Sequence, residues 1–115
     1  MCAESDGEVV GFALIGPCHY PDPHPATISE LRLMFIDPDR LRSGIGALLH
    51  DGVVRAWQSA AVESARLWVW EFNKRARAFY DSQGWQSDGL CRPDDPRIGE
   101  HRMMGYRFHV PAADR

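Results

Sequence analysis

The chain has 115 residues, enough for one small domain with one hydrophobic core. An apolar fraction of 44% excludes wholesale disorder, and a net charge of −3, with Lys and Arg interleaved among acids, argues against a dominant nucleic-acid role. No apolar run approaches the roughly 18 residues of a membrane span, so no membrane partner is expected.

The opening Met1-Cys2-Ala3-Glu4-Ser5-Asp6 has neither a basic nor an apolar leader region. Asp6-Gly7 is a hairpin turn between a short strand, Cys2–Ser5, and the run Val9–Ile15, which reads as a buried strand ending at Gly16-Pro17. Cys18–Pro25 holds three prolines and is a loop. Thr27–Ile36 reads as a long strand; regular pairing would put Ile28, Glu30, Arg32, Met34 and Ile36 on one face and Leu31, Leu33 and Phe35 on the other. A helix follows from about Gly44 to Ala61, with Ile45, Leu48, Leu49, Gly52, Val53, Ala56 and Trp57 as its apolar stripe and His50 on its polar face. Arg66–Glu71 is a short strand. Asn73 is an N-cap for a second helix, Lys74 to about Gln83, which stops at Gly84. Trp85 begins an irregular, β-rich tail whose last strand is His101–Val110, and Ala112–Arg115 reads as a frayed end. The order β-β-β-α-β-α-β-β favours an α/β or α+β single domain, residues 1–115, built on a mixed sheet.

Where the long strand meets the first helix, Asp37-Pro38-Asp39-Arg40-Leu41-Arg42-Ser43-Gly44-Ile45-Gly46-Ala47 forms a basic, glycine-punctuated turn. Such a turn directs free backbone N–H groups and the positive end of a helix dipole at a small concavity, which suits a phosphate or pyrophosphate. The glycines keep side chains from holding a ligand off the backbone. The loop lacks the lysine of GxxxxGK[ST] and the spacing of GxGxxG, which disfavours a nucleotide-binding reading.

In these residues the chain resembles the GNAT N-acetyltransferase superfamily. Asp37-Pro38…Arg42-Ser43-Gly44-Ile45-Gly46-Ala47-Leu48-Leu49 is similar to that family's pyrophosphate loop, (Q/R)xxGxG/A. Leu67-x-Val69-x-Glu71-x-Asn73-x-x-Ala76-x-x-Phe79-Tyr80-x-x-x-Gly84-Trp85 is similar to the strand–helix motif that grips the pantetheine arm. The resemblance covers roughly residues 6–108. It implies an acyl-CoA N-acyltransferase fold, a mixed sheet splayed between two strands with acetyl-CoA in the splay and two helices flanking it, and a small-molecule or peptide amine as acceptor, with a homodimer possible. Two departures stand out. Leu41 occupies a position that is usually Gln or Arg, and the chain starts at about the family's second strand, so an N-terminally shortened form is expected.

The resemblance also implies roles. Amides from Arg42, Ser43, Gly44, Ile45, Gly46 and Ala47 would bind the pyrophosphate, with Arg42 adding charge. Met34, Phe35 and Ile36 would line the thioester arm, with a backbone N–H of the Phe35–Ile36 region as oxyanion donor. Asn73, Ala76 and Phe79 would hold the pantetheine, although capping alone explains Asn73. Tyr80 is the candidate to protonate the departing thiolate, since a phenol of pKa about 10 is protonated at neutral pH; its alternative is a core aromatic with the hydroxyl at the rim. Glu30 is the candidate general base and Glu71 the runner-up, while the alternative for Glu30 is an ion pair with Arg32.

Other chemistry is weaker. His19 and His24 sit in the proline-rich loop without further ligands at metal spacing, so no metal is expected. The three cysteines, Cys2, Cys18 and Cys91, are odd in number and widely spaced, which reads as reduced thiols in a cytoplasmic protein. Nothing local marks Cys91 as a nucleophile. Trp57, Trp68, Trp70 and Trp85 are expected mostly in the core, with room for one at an acceptor pocket. The function expected is direct acetyl transfer from acetyl-CoA to a primary amine; the alternative is a non-catalytic acyl-CoA-binding module derived from such an enzyme.

Overall fold

A computed structural model describes residues 1–5, 7–18, 27–40, 44–93 and 102–112. Six strands and two helices follow the expected order: β1 (Cys2–Ser5), β2 (Glu8–Pro17), β3 (Ile28–Ile36), α1 (Ile45–Ser59), β4 (Ser64–Trp70), α2 (Lys74–Ser82), β5 (Gln86–Pro93) and β6 (Arg102–His109). A single 3₁₀ turn at Pro38–Arg40 leads from β3 toward α1. The strands form one mixed sheet in the order β1-β2-β3-β4-β6-β5, in which only the β3–β4 pair is parallel.

Both helices lie on one side of this sheet. Val53 and Trp57 of α1 pack with Ala13, Leu31, Ala65, Leu67 and Val69 from the strands, and Ala76 and Tyr80 of α2 join the same cluster. The opposite face of the sheet has no helix over it among the described residues. Two expectations fail. The β2 run is not buried throughout: Val10 and Ala13 face the core while Leu14 is exposed. The apolar stripe of α1 is narrower than its composition suggests, because Leu48 is 66% exposed, whereas His50, assigned to the polar face, is 3% exposed.

The third correction concerns β3. Leu14 of β2 pairs with Leu33, and its neighbour Ile15 pairs with Leu31, so Arg32 is an extra residue in the β3 side of the ladder. A bulge of this kind reverses the alternation beyond it. Leu31 faces the core, Met34 packs against it from the same side, and Leu33 and Phe35 turn to the helix-free face. Glu30 therefore does not share a face with Met34 and Ile36.

The helix boundaries have local causes. Gly44 precedes α1 at φ 86°, a left-handed conformation that costs an L-residue roughly 1–2 kcal/mol. Asn73 caps α2 by accepting the Ala76 N–H at 3.2 Å on its Oδ1. Gly84, at φ 98°, follows α2 and turns the chain into β5.

Candidate active site

The sheet is forked. β3 and β4 pair in register only from Ile28 opposite Ser64 to Glu30 opposite Arg66. Beyond that row they separate, and β4 takes β6 as its ladder partner along its whole length. The β3 edge from Leu31 to Ile36 then presents backbone groups to the gap rather than to a neighbouring strand. Because α1 follows β3 and α2 follows β4, both helices begin beside the open end of the fork.

A cleft of about 900 Å³ occupies this end. One wall is Met34, Phe35 and Ile36 of β3; the floor is Arg40, Gly44, Gly46 and Ala47; the other wall is Asn73, Ala76, Phe79 and Tyr80. The structure thus brings together ten of the residues singled out in the sequence, with Arg40 added. Ile45 is half-buried and does not line the cleft. Arg42 and Ser43, with Leu41, lie outside the described residues, as do His19 and His24. Cys91 lies in β5, its side chain outside them as well.

At the floor of the cleft, no side chain among the described residues caps the first turn of α1, and the Gly44 carbonyl accepts the Leu48 N–H at 3.1 Å. The first-turn N–H groups precede the residues that helix bonding satisfies, so they remain available beside the cleft. The two glycines serve different ends. A Cβ on Gly44 would meet open space, and it is the positive φ that calls for glycine; a Cβ on Gly46 would come within 3.2 Å of the Phe79 ring, so Gly46 lets α2 approach α1.

Lys74, Arg75, Ala78 and Gln83 also line the cleft, and sequence reasoning passed over them. A signal was present for the first two. The opening turn of α2 carries two cations and no acid, although the positive end of a helix dipole favours acids. Cations placed against that preference suit an anionic ligand.

Tyr80 sits at the junction of cleft and core. Its ring packs edge-to-face against Phe79 and Trp85, at 5.5 and 5.9 Å between centroids. Burial pushes its phenol up to about 12, so it holds its proton more firmly than a free tyrosine. Glu30 lies at the closed end of the fork, outside the cleft lining, with Oε1 3.9 Å from the Arg32 Nε. Arg32 also donates to the Pro17 carbonyl at 2.9 Å. Glu71 is likewise outside the lining; its carbonyl accepts from Arg77 at 2.8 Å.

His50 is a buried partner in the aromatic wall behind Tyr80. Its Nε2 accepts the Trp85 indole N–H at 2.8 Å, and its ring meets Phe79 and Phe108 edge-on. The acceptor role at Nε2 puts the neutral ring's proton on Nδ1. Burial lowers its pKa, opposed by the charge of Asp51.

A mixed sheet split between two parallel strands, with two helices opening at the split, defines an acyl-CoA N-acyltransferase fold. The chain belongs to the GNAT acetyltransferase family: the model of the acetyltransferase (GNAT) domain matches residues 1–87. It is 35% identical over 99 residues to an uncharacterized N-acetyltransferase of Archaeoglobus fulgidus, covering 86% of this chain and 64% of the relative. It is 30% identical over 111 residues to a probable N-acetyltransferase of Mycobacterium tuberculosis, covering 96% of this chain and 60% of that protein. The chain thus spans less than two thirds of either relative's length. Among solved structures, it resembles the ribosomal-protein-alanine N-acetyltransferase of Brucella melitensis with a TM-score of 0.82, at 23% identity, covering 95% of this chain and 67% of that one.

Proposed function

We propose that this chain is a single acetyltransferase domain that moves an acetyl group directly from acetyl-CoA to a primary amine. The observation that carries this reading is the glycine-led first turn of α1, which shares one cleft with the cationic start of α2, at the point where β3 and β4 part. Bound acetyl-CoA supplies an acetyl thioester. The Gly44–Ala47 amides, with Arg42 and Ser43 before them, would hold its diphosphate. Lys74 and Arg75 add charge for its remaining phosphate, and Asn73, Ala76 and Phe79 flank the pantetheine arm.

The unpaired edge of β3 near Phe35 and Ile36 can donate an N–H to the acyl oxygen and hold the carbonyl across the fork. Transfer forms the C–N bond as the C–S bond breaks. The amine proton passes to Glu30 through water, and the sulfur takes a proton from the Tyr80 hydroxyl. Exchange with solvent then restores both side chains.

Titration with acetyl-CoA, followed by turnover on a panel of amines, tests the reading. Binding with release of coenzyme A on at least one amine is expected. Binding without turnover on any amine would make the chain an acyl-CoA-binding module instead.

A further inference from the structure

The helix-free face of the sheet carries side chains that, Phe35 apart, do not line the cofactor cleft. Ala65, Leu67 and Val69 enter the core beneath α1, so alternation puts Arg66, Trp68 and Trp70 on the opposite face. The bulge at Arg32 turns Leu33 and Phe35 to that same face. Two stacked aromatic pairs consequently stand on the two arms of the fork: Phe12–Phe35 with centroids 5.4 Å apart, and Trp70–Phe72 with centroids 5.5 Å apart. Phe35 is 45% and Phe72 55% exposed. Because Phe35 also lines the cleft, the apolar surface runs through the fork from the cofactor side to the helix-free side.

At the closed end of the fork the chemistry changes. Glu30 lies opposite Arg66, and Arg66 lies opposite Arg107 of β6. Arg32 stands beside Glu30. One carboxylate among three guanidiniums leaves this row net positive. The Nε of Arg66 is buried without a hydrogen-bond partner among the described residues. That Nε is closed to solvent, but the Arg66 side chain is only half-buried, and a carboxylate accepting from its terminal N–H groups would meet a charge that the guanidinium cannot shed.

We propose that the acceptor is a free amino acid with an aromatic or other large apolar side chain. It enters from the helix-free face, with its carboxylate on Arg66 and its side chain between Phe35 and the Trp70–Phe72 pair. This rests on the acetyltransferase reading above, and it names the acceptor class for that same site. The competing acceptor is a polypeptide N-terminus, which carries an amine but no carboxylate next to it.

The test compares kcat/KM for phenylalanine, phenylalaninamide and alanine at saturating acetyl-CoA, with calorimetric binding of phenylalanine to the coenzyme A-loaded protein. Phenylalanine should exceed its amide by about tenfold or more, the scale of one charge-assisted hydrogen bond. Arg66→Met should bring that ratio near one with the KM for acetyl-CoA unchanged, and Arg66→Lys should keep part of it. Phe72→Ala should narrow the preference for phenylalanine over alanine. An amide used as well as the acid overturns the proposal, as does an Arg66→Met protein whose ratio is intact; if Arg66→Met does not fold, an unchanged ratio in Arg66→Lys and Arg66→Gln does the same. Arg66-dependent binding of phenylalanine without acetylation of any amine sinks the transferase reading and leaves this site standing. Absence of both binding and turnover overturns the site too.

Discussion

Tyr80 is the residue on which the proposed chemistry turns most directly. Burial holds its phenol at about 12, so an alkaline loss of turnover caused by Tyr80 should fall well above pH 10, in a profile of kcat against pH. Tyr80→Phe should lower kcat by about a hundredfold or more while the KM for acetyl-CoA barely moves; equal turnover would remove Tyr80 from the mechanism. His50 answers to pH in the other direction. Its folded pKa is lowered, so the unfolded chain binds its proton first as the solution is acidified. Its stabilising effect is fully present above about pH 6.5 and declines as pH falls below that value. His50→Phe should therefore flatten the acid limb of thermal stability, measured as Tm between pH 5 and 8. Tyr80 and Phe79 could be placed in the sequence because their spacing from Asn73 and Ala76 sets one helix face. The burial of His50 could not, since its partner Trp85 lies 35 residues away.

At the scale of elements, the helix starts and the strand irregularities carry the site. Asn73 caps the first turn of α2 through its side chain, so Asn73→Ala should cost about 1 kcal/mol of stability, read from urea denaturation, and loosen the wall that bears Phe79 and Tyr80. The two helices, their order and the ends of α2 were legible because capping residues and turn glycines act within a few positions. The bulge at Arg32 was not. Regular alternation put Glu30 with Met34 and Ile36, and nothing local in Leu31-Arg32-Leu33 marks the inserted residue, which is fixed by pairing with Leu14 and Ile15 of a distant strand. The fork could be expected only from the fold that the family resemblance implies, since the separation of β3 from β4 depends on how far two strands stay paired rather than on either strand's composition. Lys74 and Arg75 are the opposite case, since their misfit with the helix dipole was readable before any contact was known.

Across the whole molecule, one sheet divides two kinds of surface. The helix side gathers amide donors and cations about the cleft, and the other side pairs aromatic surface with a row of arginines. No helix among the described residues is long and apolar enough to cross a membrane. On the proposed reading the cleft holds several phosphate charges through Arg40, Lys74, Arg75 and backbone amides, so it should bind its ligand less tightly as salt rises, a trend that titrations between roughly 50 and 500 mM salt would show. Acetyl-CoA affinity in the wild-type protein and in Gly44→Glu, with folding verified by circular dichroism, bears on the cleft most simply. The substitution puts a carboxylate into open space beside the first turn of α1. Binding should weaken by about a hundredfold or more, as bulk and negative charge meet the diphosphate; a folded Gly44→Glu protein that binds acetyl-CoA as tightly as the wild type would contradict the account.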